Sequence, residues 1–201
     1  SRNHTELLFK SLNIPIKIKK TKNIDFIELH GQNNFKAFNY NIPGDISSAA
    51  FFIVLTLLSK KSKILIKNVN VNESRIGIIK ILKKMNCDIS VKNKRIYKGE
   101  KIADITAKST KNIKAINCPS SLNSSAIDEF LIIFLVAAKA KGISTFKNLD
   151  ELNKKESPRL NIAIKILNMI GINTLRKKNY LKIYGNPNLN LNKKFIVKNF
   201  M

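Results

Sequence analysis

Two lysines, a glutamate and an arginine crowd the stretch Asn153-Lys154-Lys155-Glu156-Ser157-Pro158-Arg159-Leu160. Ser157 suits an N-cap, and Pro158 suits the first helical turn, where its missing N–H has no intrahelical partner to lose, so the spacing predicts a helix beginning here. A helix start turns unpaired N–H groups and the positive end of its dipole outward. With Lys155 and Arg159 beside it, that end attracts anions, and Glu156 adds a group able to give or take a proton. The combination suits chemistry on a phosphate or carboxylate substrate. It equally suits the solvated cap of a surface helix whose charges do nothing in particular. A second acid, Asp128, follows Ser125-Ala126-Ile127 and fits position N3 of a capping box as well as it fits a site. Residue types alone leave both readings open.

The elements that must position these groups come from an internal repeat. Lys36-Ala37-Phe38-Asn39 recurs as Lys114-Ala115-Ile116-Asn117, each followed by a Pro-containing turn, a small-residue cap (Ser47-Ser48, Ser124-Ser125) and an apolar helix, about 48–58 and 127–141. Each helix leads into a strand, 64–69 and 143–149, and then into an amphipathic helix begun near Glu73-Ser74-Arg75 or Glu156-Ser157-Pro158-Arg159. A Met follows ten residues after each Arg, Met85 and Met169, and paired strands close each copy, 88–91 with 104–107 and 172–175 with 181–184. The unit reads βαβαββ, and 195–199 reads as the first strand of a further copy. The first helix of each copy is apolar nearly all round and so is expected to be enclosed, whereas the second, with Ile78, Ile79, Leu82 and Met85 opposite Lys80, Lys83 and Lys84, belongs at a surface. Ahead of the repeat, 1–12 reads as a helix and the runs 14–18 and 26–29 as a hairpin, with Pro15 at a sheet edge or strand start. A short strand is expected at 35–40, before the turn Ile42-Pro43-Gly44-Asp45.

Composition narrows the function. With 201 residues and 44% hydrophobic content the chain can bury a core. Its net charge of +24 would fit phosphate binding, but the lysines are spread among Ile and Asn in every segment, and the few aromatics fall in apolar runs and not between cations. A nucleic-acid partner is therefore not expected. Cys87 and Cys118 lack neighbouring Cys or His, which argues against a zinc site or a redox pair and for reduced, intracellular thiols. No apolar run approaches the roughly 20 residues that cross a bilayer, so no membrane span is expected, and no secretory leader is seen. The chain is expected to be a piece of something longer.

Ser1-Arg2-Asn3-His4-Thr5-Glu6, Pro43-Gly44-Asp45-Ile46-Ser47-Ser48-Ala49-Ala50-Phe51, Asn72-Glu73-Ser74-Arg75-Ile76-Gly77, Ile127-Asp128-Glu129-Phe130 and 151–160 together resemble the enolpyruvyl transferase family, in its 5-enolpyruvylshikimate-3-phosphate synthase branch. The resemblance implies a mixed α/β (α+β) fold of repeated βαβαββ units with buried helices and outer sheets, incomplete here. Residues 1–41 would end a first domain, and 42–201 would supply about two of the three units of a second. It implies transfer of the enolpyruvyl group of phosphoenolpyruvate to the 5-hydroxyl of 3-phosphoshikimate, in the cytoplasm, by a monomer when full length, with no metal or organic cofactor. The family's Lys-Ser-x-x-x-Arg, Gly-rich, Ser-x-Gln and Asp-His-Arg segments are not among these residues, so this piece alone is expected to be inactive.

Carried over residue by residue, Asp128 would contact the shikimate hydroxyls and accept a proton, and Glu156 would exchange a proton with the enolpyruvyl carbon. Lys155 would bind both substrates and stabilise charge, Arg159 would bind phosphoenolpyruvate, and Ser1 and Arg2 would bind 3-phosphoshikimate. His4 is read as a surface histidine and Arg75, at the repeat position of Arg159, as structural. The family usually has Lys-Glu-Ser-Asp-Arg; Pro158 replaces that Asp, which should spare the helix start but remove a contact that orients Arg159. Competing readings are a UDP-N-acetylglucosamine enolpyruvyl transferase, a basic nucleic-acid-binding module and an inactive truncated copy.

Overall fold

In the computed structural model of the chain, which describes residues 2–21, 24–31, 36–154 and 157–190, the repeat becomes two three-stranded antiparallel sheets backed by helices. The first unit contains α2 (Ile46–Leu58), β3 (Lys63–Asn70), α3 (Gly77–Lys84), β4 (Ile89–Tyr97) and β5 (Glu100–Lys108). The second contains α4 (Asn123–Ala126), α5 (Phe130–Ala138), β6 (Gly142–Lys147), α6 (Arg159–Met169), β7 (Thr174–Lys177) and β8 (Tyr180–Gly185). Strand order is the same in both, β3-β5-β4 and β6-β8-β7. Ahead of them lie α1 (His4–Ser11) and the hairpin β1 (Ile16–Lys20) with β2 (Asp25–Leu29), paired from Ile16↔Leu29 to Lys20↔Asp25. Pro15 sits just before β1, where its missing N–H costs the ladder nothing and its carbonyl accepts from His30.

The first strand expected in each copy is reduced to isolated parallel bridges, Gly44↔Val69 in one and Lys114↔Lys141 and Asn117↔Thr145 in the other. Residues 36–40 form no strand, and the strand expected at 195–199 lies outside the described residues. Helix 127–141 is also corrected. The chain makes the short α4, turns through 127–129, and only then enters α5, which ends at Ala138, ahead of Gly142 at φ +107°.

The core is built from the apolar helices and the inward faces of both sheets. Phe130, Phe134 and Phe146 are fully buried and pack edge to face or tilted, with centroids 5.0–6.0 Å apart. Each such ring contributes about 1.5–3 kcal/mol by leaving water. α3 behaves as its pattern predicts, with Ile78, Ile79, Ile81 and Leu82 inside. α5 is largely enclosed, but α2 is enclosed only in part: Phe51, Phe52 and Leu55 face outward among the described residues. No helix among them is long and apolar enough to cross a membrane.

Candidate functional site

The loop between β3 and α3 is shaped by its own asparagines. Asn70 Oδ1 accepts the Asn72 N–H, and Asn72 Oδ1 accepts both the N–H and the hydroxyl of Ser74, side-chain turns that replace helical bonds and delay α3 to Gly77. The loop delivers Arg75 to the start of α2. There Asp45, and not Ser47 or Ser48, is the N-cap: its carboxylate accepts the Ser48 N–H at 2.9 Å. Arg75 donates to Asp45 Oδ1 at 3.2 Å and to Ser47 Oγ at 2.5 Å, and the Ser47 hydroxyl donates onward to Glu129.

Asp128 and Glu129 lie in the turn between α4 and α5, so Asp128 is not the N3 residue of a capping box. Ser125 instead donates to Leu122 O, and the Glu129 N–H is taken by Ala126 O. The Asp128 carboxylate meets guanidinium groups from three directions. Arg2, just before α1, donates to Oδ2; Arg75 Nη1 stands 3.8 Å from Oδ2; Arg159 Nη1, in the first residue of α6, stands 4.0 Å from Oδ1. Asp128 and Arg2 line a cleft of about 500 Å³ with Ser74, Ser121 and Ser124, a size that takes a small polar ligand. A larger, mainly apolar groove of about 920 Å³ between α2 and α5 holds none of these groups.

Charge is sorted unequally. Burial pushes the Glu129 carboxyl above its usual range, against the Ser47 hydroxyl and Arg75, which pull it down. At Asp45 burial also acts upward, but the backbone N–H groups of Ser48 and Ser47, the Ser48 hydroxyl and Arg75 outweigh it and hold the carboxyl low. Burial drives the thiols of Cys87 and Cys118 up to about 12 and about 11, so neither is a nucleophile.

Arg2 owes its place to a second network. Glu100, buried at the start of β5, accepts from Asn70 and Asn72, and its other oxygen lies 2.5 Å from His4 Nδ1. Asn72 also donates to Asn3 Oδ1. His4 is therefore no free surface histidine: it ties the N-terminal segment to the first unit. Midway along α1, Gly99 at φ +85° lets the β4–β5 turn pass Leu7, where a Cβ would come within 2.5 Å of the Leu7 carbonyl oxygen.

α6 begins one residue later than its sequence suggests. Pro158 holds the N-cap position, its carbonyl accepting the Ile162 N–H, and the side-chain cap comes from Asn153, whose Oδ1 accepts the N–H groups of Leu160 and Asn161. Ser157 is not the capping residue. The structure thus brings Arg2, Asp128 and Arg159 together; Ser1, Lys155 and Glu156 lie outside the described residues. It adds Arg75, whose signal in the sequence is its repeat equivalence to Arg159.

A family model described as EPSP synthase (3-phosphoshikimate 1-carboxyvinyltransferase) matches residues 1–193. The 3-phosphoshikimate 1-carboxyvinyltransferase of Legionella pneumophila strain Philadelphia 1 is 41% identical over 172 residues, covering 86% of this chain and 39% of that protein. The protein of that name from Thermoanaerobacter sp. strain X514 is 40% identical over 187 residues, 92% of this chain and 43% of its own. A solved EPSP synthase from Acinetobacter baumannii superposes with a TM-score of 0.84 at 35% identity, over 92% of this chain and 41% of that one. The enolpyruvyl transferase NikO from Streptomyces tendae shares the fold, with a TM-score of 0.61 at 15% identity over 88% of this chain and 38% of that one. The chain spans about two fifths of the length of the curated relatives it matches.

Proposed function

The chain belongs to the EPSP synthase family, and from that premise we propose that it carries part of the catalytic apparatus that moves the enolpyruvyl group of phosphoenolpyruvate onto the 5-hydroxyl of 3-phosphoshikimate. Residues 1–41 end one domain in this reading, and 42–201 supply about two units of the other. The hydroxyl oxygen bonds to the phosphate-bearing carbon of phosphoenolpyruvate and gives its proton to Asp128. The terminal CH₂ gains a proton from Glu156 and becomes CH₃. The tetrahedral ketal then expels phosphate, which carries off the proton held by Asp128, while the CH₃ returns a proton to Glu156, leaving the enolpyruvyl ether and both acids as they began. Atoms and charges balance without any oxidant, reductant or metal.

Arg159 binds the carboxylate or phosphate of phosphoenolpyruvate with a planar fork, which an ammonium could not imitate. Lys155 stabilises charge in the intermediate, and Ser1 and Arg2 hold 3-phosphoshikimate. An unperturbed glutamate, with a pKa of about 4.3, is a weak acid source at neutral pH, so closure over the substrates has to adjust Glu156. The polypeptide acts as a cytoplasmic monomer, with neither membrane nor nucleic acid as partner. The observation that carries the reading is the convergence of Arg2 and Arg159, 157 positions apart in the chain, on the one carboxylate of Asp128 at a cleft.

The test uses the whole polypeptide that the gene encodes around this chain, mixed with both substrates, with phosphate release and the enolpyruvyl product followed together. Equal amounts of the two products, and neither when one substrate is left out, are expected. Product from UDP-N-acetylglucosamine in place of 3-phosphoshikimate, or no product at all, would overturn the proposal. Binding of DNA that weakens steeply with salt would instead favour the basic module.

A further inference from the structure

Three guanidinium groups surround Asp128, and their surroundings differ. Arg2 is 45% exposed and Arg159 31%, whereas Arg75 is 14% exposed and is engaged from behind by Asp45, by Ser47 and, at 4.0 Å, by Glu129. Taking the reaction proposed above as its frame, we propose that Arg75 is a positioning residue: it holds the Asp128 carboxylate in place when Arg2 and Arg159 are drawn to the anions of the substrates.

A carboxylate that takes a proton from a hydroxyl must present a lone pair to it, and a misplacement of about 1 Å costs on the order of 10²-fold in rate. Arg2 and Arg159 are poor anchors for Asp128, because the same groups are the ones an anionic substrate recruits. Arg75 has no such competing task. Its Nη1 faces Asp128 Oδ2, while Arg159 lies on the side of Oδ1. Its Nη2 engages Ser47, which donates to Glu129, the residue next to Asp128. The turn carrying Asp128 is thus tied at two successive side chains to one guanidinium, itself fixed on the start of α2. A planar fork serves these divergent acceptors at once, which a lysine would do only in part.

The test measures steady-state turnover of the whole encoded polypeptide as wild type, Arg75→Gln, Arg75→Lys and the double variant Arg75→Gln/Glu129→Gln, with thermal midpoints alongside. In Arg75→Gln, kcat is expected to fall by about 10²-fold while KM for each substrate stays within about threefold, since the groups that bind the anions remain. Arg75→Lys recovers part of kcat. The double variant replaces the buried acid that Arg75→Gln leaves without its cation by a neutral amide, so its midpoint recovers and its kcat does not. The assignment is overturned by a kcat within about threefold of wild type in Arg75→Gln, by KM rising in step with the loss of kcat, or by recovery of kcat with the midpoint in the double variant. A wild type without turnover sinks the reaction but not the assignment. Crystal structures of the chain then decide it: Asp128 displaced by about 1 Å or more in Arg75→Gln upholds the assignment, and an unmoved carboxylate ends it.

Discussion

Each unit sets an acid beside the arginine of its repeat, Asp45 beside Arg75 and Asp128 near Arg159, and uses the pair differently. In the first, the acid serves structure: it caps α2 and takes Arg75 at 3.2 Å. In the second, the acid lies in the turn between α4 and α5 and not at the start of either helix. The turn before α5 satisfies its own N–H through Ala126 O, Asn153 caps α6 in place of Ser157, and Asp128 stands 4.0 Å from Arg159 with Arg2 reaching in from the N-terminal segment. The repeat therefore keeps its arginines in register while the acids they meet come from different places, one before a helix and one in a turn between two.

The largest expected effect breaks that comparison at its acids. Asp128→Asn in the whole encoded polypeptide should lower turnover by about two to four orders of magnitude, the range of a lost proton-transfer group, and Glu156→Gln should do the same. Asp45→Asn should lose less than about tenfold and show its effect in the thermal midpoint instead. Comparable loss in turnover at both aspartates would mean that the first unit is as much a part of the chemistry as the second.

The next effect tests the packing that joins the copies. A Cβ at Gly77, where α3 starts, would lie 2.5 Å from Ser125 Oγ and 2.6 Å from the Ser125 carbonyl carbon, so Gly77→Ala forces the first unit off the second. At Gly185 a Cβ would overlap the carbonyl oxygens of Ala140 and Ala137 inside the second unit. Each should cost about 3 kcal/mol in urea unfolding, the upper part of the overpacking range. Gly171, at φ +84° with nothing near its Cβ position, should cost only the backbone strain of about 1 kcal/mol. A Gly77→Ala variant no less stable than Gly171→Ala would show that the units do not lean on each other there.

What the sequence reveals of all this follows the range of the forces involved. The helix cores, the strand pairs and the repeat are carried by hydrophobic periodicity within ten or so neighbours, and the helix and hairpin ahead of the repeat came out as read. Element ends are decided by competition among nearby polar groups, so Asp45 and Asn153 displaced the serines as caps, and the helix expected at 127–141 broke at Asp128. The first strand of each copy is not a full ladder: Lys114 and Asn117 bridge singly to Lys141 and Thr145, and in the first copy the one bridge falls at Gly44, beyond the strand expected at 35–40. The site is longer in range still. Arg2, Asp128 and Arg159 were legible through resemblance, while the roles of Arg75 and His4 depend on partners that no local pattern announces: Glu129 in the turn before α5, and Glu100, 96 positions from His4.

A smaller effect separates the two caps. Asn153→Ala removes the acceptor for two N–H groups at the start of α6, and Asp45→Ala removes the cap of α2 together with the partner of Arg75. Cap loss alone is worth about 1 kcal/mol, which is the expectation for Asn153→Ala; Asp45→Ala should exceed it. Equal losses in urea unfolding would mean that the Asp45 ion pair contributes nothing to the first unit.

The finest distinction is in pH dependence, where two acids around one arginine oppose each other. Asp45 has a folded pKa below its unfolded value, so the native state binds its proton less tightly; its contribution to stability is full above the unfolded pKa and is lost as pH falls through the folded one. Glu129 has a folded pKa above its unfolded value, so its contribution is present below the unfolded pKa and is lost as pH rises through the folded one. Both unfolded values lie near pH 4, about where the two contributions change hands. Urea unfolding at steps of pH should therefore show Asp45→Asn flattening the acid limb below about pH 4 and Glu129→Gln flattening the decline above it. Were Glu129→Gln to track the wild type above that pH, burial would not be raising the Glu129 carboxyl, and Ser47 and Arg75 would be offsetting the whole cost of taking it out of water.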